Sequence, residues 1–150
     1  MRMHRVVFVL VLVLALAVSA RAQLLVPAGG MSAGCPAAWG HRDGSETSFS
    51  CADTSSGAFC NGRYRAASGA TQADEALAEH ARIVAMGFVI QSESDEQGMH
   101  VFVNDDAAHH RIAAFVRGGI GRSVFVTCGT DPSTFAAELP TFVSVASSAR

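Results

Sequence analysis

The N-terminus restricts this chain more than any other feature. MRMHR places Arg2 and Arg5 ahead of an apolar run of 13 residues, Val6 to Val18. SARAQ follows, with Ala20 and Ala22 at the two small positions of an A-x-A site. A basic start, an apolar stretch of about 7–15 residues and a small-residue cleavage site make up a secretory signal peptide. A retained anchor would need roughly 20 apolar residues to span a bilayer. A lipoprotein would need a cysteine directly after the apolar run, whereas the first cysteine is Cys35. Cleavage after Ala22 is therefore expected, which removes residues 1–22 from the fold and leaves 128 residues to build it. That length suits one domain with a core of its own. The expected location is secreted or periplasmic, an oxidising setting.

Export changes how the charges read. The whole chain has a formal net charge of −2. Three of its 11 basic residues lie in the segment removed, so 8 arginines face 13 acidic residues, and there is no lysine. An acidic chain without basic clusters argues against nucleic acid or anionic lipid as partner, because both need concentrated positive charge. No second apolar run approaches spanning length, so no membrane span is expected after cleavage.

Residues 23–45 are rich in Gly, Ala and Pro and show no period, which reads as an extended lead-in, with a short strand at Leu24 to Val26. From Glu46 to Ala52 the chain alternates, with Phe49 and Cys51 on one face. From Ala58 to Ala66 it alternates again, with Cys60 and Tyr64 opposite Asn61, Arg63 and Arg65. Period-two alternation around Asp, Ser and Gly predicts a hairpin of half-buried strands. Ser68 to Gly87 reads as a helix with Thr71 as N-cap, Asp74 three residues on and Gly87 at the end. Its apolar stripe is Leu77, Ala81, Val84 and Ala85, widened by Ile83 and Met86, which places Glu75, Glu79, His80 and Arg82 on the open face. Strands are then predicted at Phe88 to Ser92, Met99 to Val103, His109 to Val116 and Arg122 to Cys128. The intervening turns are the run ending at Gly98, Asn104 to Asp106, and Gly118 to Gly121. Asp131 and Pro132 predict the start of a last helix that Pro140 should kink or split. The whole is an α+β domain over residues 46–150. Its mostly antiparallel sheet has five to six strands, with two helices packed against it.

The segment RSVFVTCGTDPSTFAAELPTFVSVASSAR resembles the C-terminal half of the PsbP-like α/β sandwich. In that family a last strand leads through a short polar loop into a helix of form F-x-x-x-x-P-x-F ending near Ser-Arg. The matching positions are Phe135, Pro140, Phe142, Ser148 and Arg150. The resemblance covers about a third of the chain. It implies a non-enzymatic accessory or binding protein of an exported compartment, and it transfers no functional residue.

An even number of cysteines in an exported chain reads as disulfides, and four allow three pairings. If Ser55 and Ser56 centre the hairpin turn, Cys51 and Cys60 oppose each other on one face. That predicts a Cys51–Cys60 staple, leaving Cys35 with Cys128. The spacing lacks the C-x-x-C of a redox pair and the close pairs of a zinc site. His100 and His110 are the weak metal candidates: a turn centred on Asp105 would set them opposite each other beside acidic residues. His109 and His110, as strand neighbours, point to opposite faces and cannot share an ion. No G-x-S-x-G elbow, H-E-x-x-H, P-loop or strand-following G-x-G-x-x-G occurs, and Gly118-Gly119-x-Gly121 reads as a turn. No catalytic residue and no cofactor are therefore assigned. The expected function is a non-catalytic binding or accessory domain for an unknown protein or small molecule. The rivals are a small exported enzyme with an unrecognised site and a metal-binding periplasmic protein.

Overall fold

The computed structural model describes residues 23–25, 31–67, 69, 71–119 and 121–150. The expected signal peptide and Val26 lie outside them. A short antiparallel pair, β1 (Gln23–Leu25) and β2 (Gly34–Pro36), opens the described chain. The main sheet is built from β3 (His41–Gly44), β4 (Ser48–Ala52), β5 (Phe59–Ala66), β6 (Ile90–Glu96), β7 (Met99–Asp105), β8 (Arg111–Arg117) and β9 (Arg122–Thr130). Its order is β3-β4-β5-β9-β8-β7-β6, antiparallel throughout. Two helices complete the α+β domain, α1 (Gln72–Ala85) and α2 (Phe135–Ser148).

The sheet has one strand more than the upper expectation, and the extra one is β3. HRDG carries no apolar alternation because it is an exposed edge strand, paired on one side only, so its sequence holds no burial signal. The other edge, β6, runs through the acidic ESDE segment that reads as a turn. Only Gln97 and Gly98 reverse the chain there, both with positive φ. Two left-handed central residues make the tightest hairpin connection, so the polar residues before them are free to be strand. Charged side chains on an exposed edge also discourage pairing with foreign strands.

The two helices lie on opposite faces, and strand alternation assigns each its floor. Phe49, Cys60, Met99, Val101, Ala113, Phe115, Val126 and Cys128 form one core with Phe135, Phe142, Val145 and Ala146 of α2 and with Trp39 of the lead-in. The alternate residues Phe102, Ala114, Val116 and Phe125 form a second, smaller core with Ile83 of α1. β8 is thus buried on both faces, as its unbroken apolar run IAAFV requires. Phe49 lies across Gly62 of the neighbouring strand, where a Cβ would fall 1.9 Å from the ring. α2 runs through Pro140 as one helix and not as two, and its N-cap position is Thr134 and not Asp131. Asp131 instead holds a preceding turn, accepting from Ser133 and from the Thr134 N–H, and Pro132 lies in that turn. Pro140 is the sixth residue of the helix and forgoes the bond its N–H would make back to the Ala136 carbonyl.

The cysteine pairing differs from the hairpin staple. The bridges are Cys35–Cys51 and Cys60–Cys128. The hairpin register is as expected, with Cys51 directly opposite Cys60. Cys60, however, has a second cross-strand neighbour, Cys128 on β9. The N–H and C=O of a strand residue point to the same side. Those of alternate β5 residues point to β4, as the Ala58 and Tyr64 backbone bonds to Asp53 and Thr47 show. Cys51 and Cys60 are therefore a wide, hydrogen-bonded pair, and Cys60 and Cys128 a narrow one with Cα atoms 4.0 Å apart. The narrow site takes the bridge, and Cys51 bonds upward to Cys35 in the lead-in.

Candidate functional site

Helix α1 is set on the sheet the opposite way round from its sequence pattern. Its N-cap is as predicted: Thr71 accepts from the Asp74 N–H, and Asp74 accepts from the Thr71 N–H, closing a capping box. The face turned to the sheet carries Ile83 and two glutamates, Glu75 at 1% exposure and Glu79 at 2%. The stripe of Ala73, Leu77, Ala81, Val84 and Ala85 faces outward. Leu77 is 71% exposed and Val84 53%, and Val89, just beyond the helix, is 69% exposed. Two residues span about 200° of helix, so Leu77 stands nearly opposite both Glu75 and Glu79.

The reason lies in β5. Arg65 projects from the sheet under α1 with its guanidinium 3.9 Å over the Phe125 ring, and it donates to Glu79 at 2.8 Å. Arg82, one turn on, donates to the same carboxylate through Nε at 2.8 Å and through Nη2. Burial by itself would raise the Glu79 carboxyl. The hydrogen bonds from Arg82 and Arg65, with their charges, outweigh it and hold the group below its ordinary value. Glu75 accepts from the Gly69 N–H, and Gln72 clamps the end of β8 by donating to the Val116 carbonyl at 2.6 Å and accepting from the Gly118 N–H. Inward polar residues with these partners fix the roll of the helix. Fully burying a leucine or valine is worth roughly 1.5–3 kcal/mol each, and this orientation forgoes that gain at both Leu77 and Val84.

Beside the stripe, between α1 and the β6–β7 hairpin, lies a shallow groove of about 470 Å³. Leu77 and Ala76 form its apolar wall. His80 Nδ1 lies 3.0 Å from Glu93 Oε1, and His100 Nε2 lies 3.3 Å from Glu93 Oε2. The other ring nitrogen of His100 is 2.9 Å from Asp95. Both imidazoles meet the Phe102 ring edge-on, at 6.0 and 4.7 Å. Glu93 thus ties α1 to the sheet edge. His80 and Glu93 escape notice in the sequence because ESDE reads as a turn. Read as a strand, its Glu93 and Asp95 fall on one face, which is the available signal.

His100 and His110 are not brought together. The β7–β8 turn centres on Ala108 and not on Asp105, so His100 opposes Val116 while Asp105 pairs with Arg111. His110 stays in the turn, 3.1 Å from Asp106 and edge-on to Phe59. Its neighbour His109 has a positive φ, so the residues before Arg111 are turn and not strand. Among the described residues no group of three or more His, Cys, Asp or Glu side chains has metal-holding geometry.

A second hollow, of about 510 Å³, lies on the α1 side of the sheet where the helix does not reach. It is mixed in character, lined by Ser48, Ser50, Asn61, Arg63 and Thr127 together with Phe49 and Phe125. A half-solvated antiparallel sheet commonly shows such a face. No protein-family model matches the chain, and neither does any curated protein. Among the described residues no helix is long and apolar enough to cross a membrane.

Proposed function

We propose that this small disulfide-stabilised domain is an exported, non-catalytic accessory protein that docks a partner protein on the outer face of α1. The outward stripe of Leu77, Ala81 and Val84, continued by Val89, carries this reading. A contiguous apolar patch on a helix whose inner face holds glutamates is what a partner interface requires, and scattered apolar surface is not. The charge around it defines the partner. Glu93, Asp95 and Glu96 line the adjoining edge, so the complementary surface is an apolar ridge flanked by arginine or lysine.

A photo-reactive residue placed at position 77 tests this in the exported fraction. One discrete adduct is expected, with the cross-linked peptide apolar and flanked by basic residues. Val84→Glu should abolish the adduct while changing stability by less than about 0.5 kcal/mol, as for other surface substitutions. Adducts of many sizes, or one indifferent to Val84→Glu, would refute the docking face. Export is tested separately: N-terminal sequencing of the secreted protein should begin at Gln23, and a start at Met1 would remove the signal-peptide reading.

The rival exported enzyme has one specific support, the linked side chains of His80, Glu93, His100 and Asp95. Both nitrogens of His100 face carboxylates, and among the described residues no hydroxyl or thiol lines that groove, so a Ser- or Cys-type nucleophile is not part of it. Kinship with the PsbP-like sandwich remains a proposal resting on the residues of the β9–α2 segment.

A further inference from the structure

Three of the eight arginines downstream of residue 22 meet at one hollow of the α2 side of the sheet. Arg117, Arg122 and Arg150 line a concavity of about 250 Å³, together with Tyr64, Gly118, Gly119 and Val124. Among the described residues no acidic side chain lines it, on a chain where acidic residues outnumber basic ones. Of the other five, Arg65 and Arg82 share Glu79 and Arg111 is paired with Asp105, whereas Arg42 donates to the Pro36 and Ala37 carbonyls. None of the three at this hollow has a carboxylate partner among the described residues.

Arg117 and Arg122 are instead held through their guanidinium groups, and Arg150 through its backbone. Arg117 donates to the Ser147 and Ala149 carbonyls, closing the C-terminal end of α2. That contact answers the negative end of the helix dipole and leaves the other two arginines free of it. The guanidinium of Arg122 lies 4.1 Å over the Tyr64 ring. The backbone of Arg150 is fixed by two hydrogen bonds with Ser32, at 2.8 and 3.0 Å. Gly119 lets the turn close tightly beside the hollow, since a Cβ there would meet the Arg122 carbonyl at 2.6 Å. Planar guanidinium forks match tetrahedral oxyanions, and a guanidinium already held by stacking, as that of Arg122 is on Tyr64, costs little to order on binding.

We infer that this hollow binds a small oxyanion, namely a phosphate group, held by Arg122 and Arg150 with Arg117 behind them. This site lies on the face of the sheet opposite α1, whose Gln72 accepts from the Gly118 N–H at its rim, and it is independent of the outward docking stripe. Tyr64 is the only tyrosine in the chain, so fluorotyrosine gives a single ¹⁹F resonance within the site. The disulfide-intact protein is titrated with inorganic phosphate at constant ionic strength, following that resonance and the heat released. Saturable binding in the millimolar range or tighter is expected. Arg122→Gln and Arg150→Gln should each weaken it by about tenfold. Arg63→Gln, on the opposite face, should leave it unchanged. Glycerol 3-phosphate serves as the second ligand: tighter binding than phosphate identifies a phosphomonoester, and weaker binding identifies the free ion. No saturation by either ligand would overturn the site. An equal loss in Arg63→Gln would overturn it too, since diffuse charge would then explain the effect.

Discussion

Replacing Cys60 and Cys128 together by alanine should lower the unfolding free energy by about 4 kcal/mol, and replacing Cys35 and Cys51 by about 3 kcal/mol, from the chain entropy of the loops closed. The bridges span 68 and 16 residues. The order is the discriminating part. A Cys51–Cys60 staple would close a short loop and leave Cys35–Cys128 to close almost the whole domain, so each double replacement would then break both bridges and the two would cost the same. Both bridges lie in the α2-side core, where all four cysteines are at most 1% exposed, so alanine also leaves small cavities, which adds to each loss without reversing the order. Urea unfolding without reductant measures the two losses. Peptide mapping under non-reducing conditions should recover Cys35 with Cys51 and Cys60 with Cys128. A recovered Cys51–Cys60 peptide, or a larger loss on removing the Cys35–Cys51 bridge, would refute the pairing.

The same cysteines show how far the sequence could be read. Local order was legible wherever a signal and its partner lie close in the chain. The β4–β5 register, the Thr71 capping box and the alternation of β7 and β9 all follow from short-range pattern. The partner of β5 on its other side was not legible, because β9 lies more than 50 residues on and nothing in either strand names the other. That missing neighbour, Cys128, decides which pair is bridged. The roll of α1 failed for a related reason. Its periodicity separates Leu77, Ala81, Val84 and Ala85 from Glu75 and Glu79 but wrongly groups Ile83 with the former, and hydrophobicity alone turns the wrong face to the sheet. The deciding residue is Arg65, on another strand, which places an unpaired charge under the helix unless a glutamate comes down to meet it. Edge strands β3 and β6 are hard to read because they bury little, so their sequences carry no alternation to find. The candidate site inherits these misses, since both the outward stripe and the His80–Glu93 contact depend on them.

Glu79→Gln should therefore destabilise the domain by about 2–3 kcal/mol, below the usual loss for a broken buried pair because Arg65 and Arg82 keep some contact with water. The amide retains volume and an acceptor but removes the charge that two guanidinium groups share. Arg65 is left over Phe125 with its charge unanswered. The pH dependence separates this from a packing defect. The Glu79 carboxyl is held below its ordinary value of 4.5 in the folded state. Its contribution is thus fully present above that value and is lost as the pH falls through the lower, folded one. The wild type should be the more stable protein by the full margin at neutral pH, and the margin should shrink steadily below about pH 4.5. Urea unfolding at pH 7, 5, 4 and 3 follows it. A margin that stays constant down to pH 3 would mean that the charge of Glu79 is not what holds it inward. In that case the outward stripe of α1 would need another cause. If the margin closes as expected, the ion group under α1 is what keeps Leu77 and Val84 turned to the outside, where a partner can reach them.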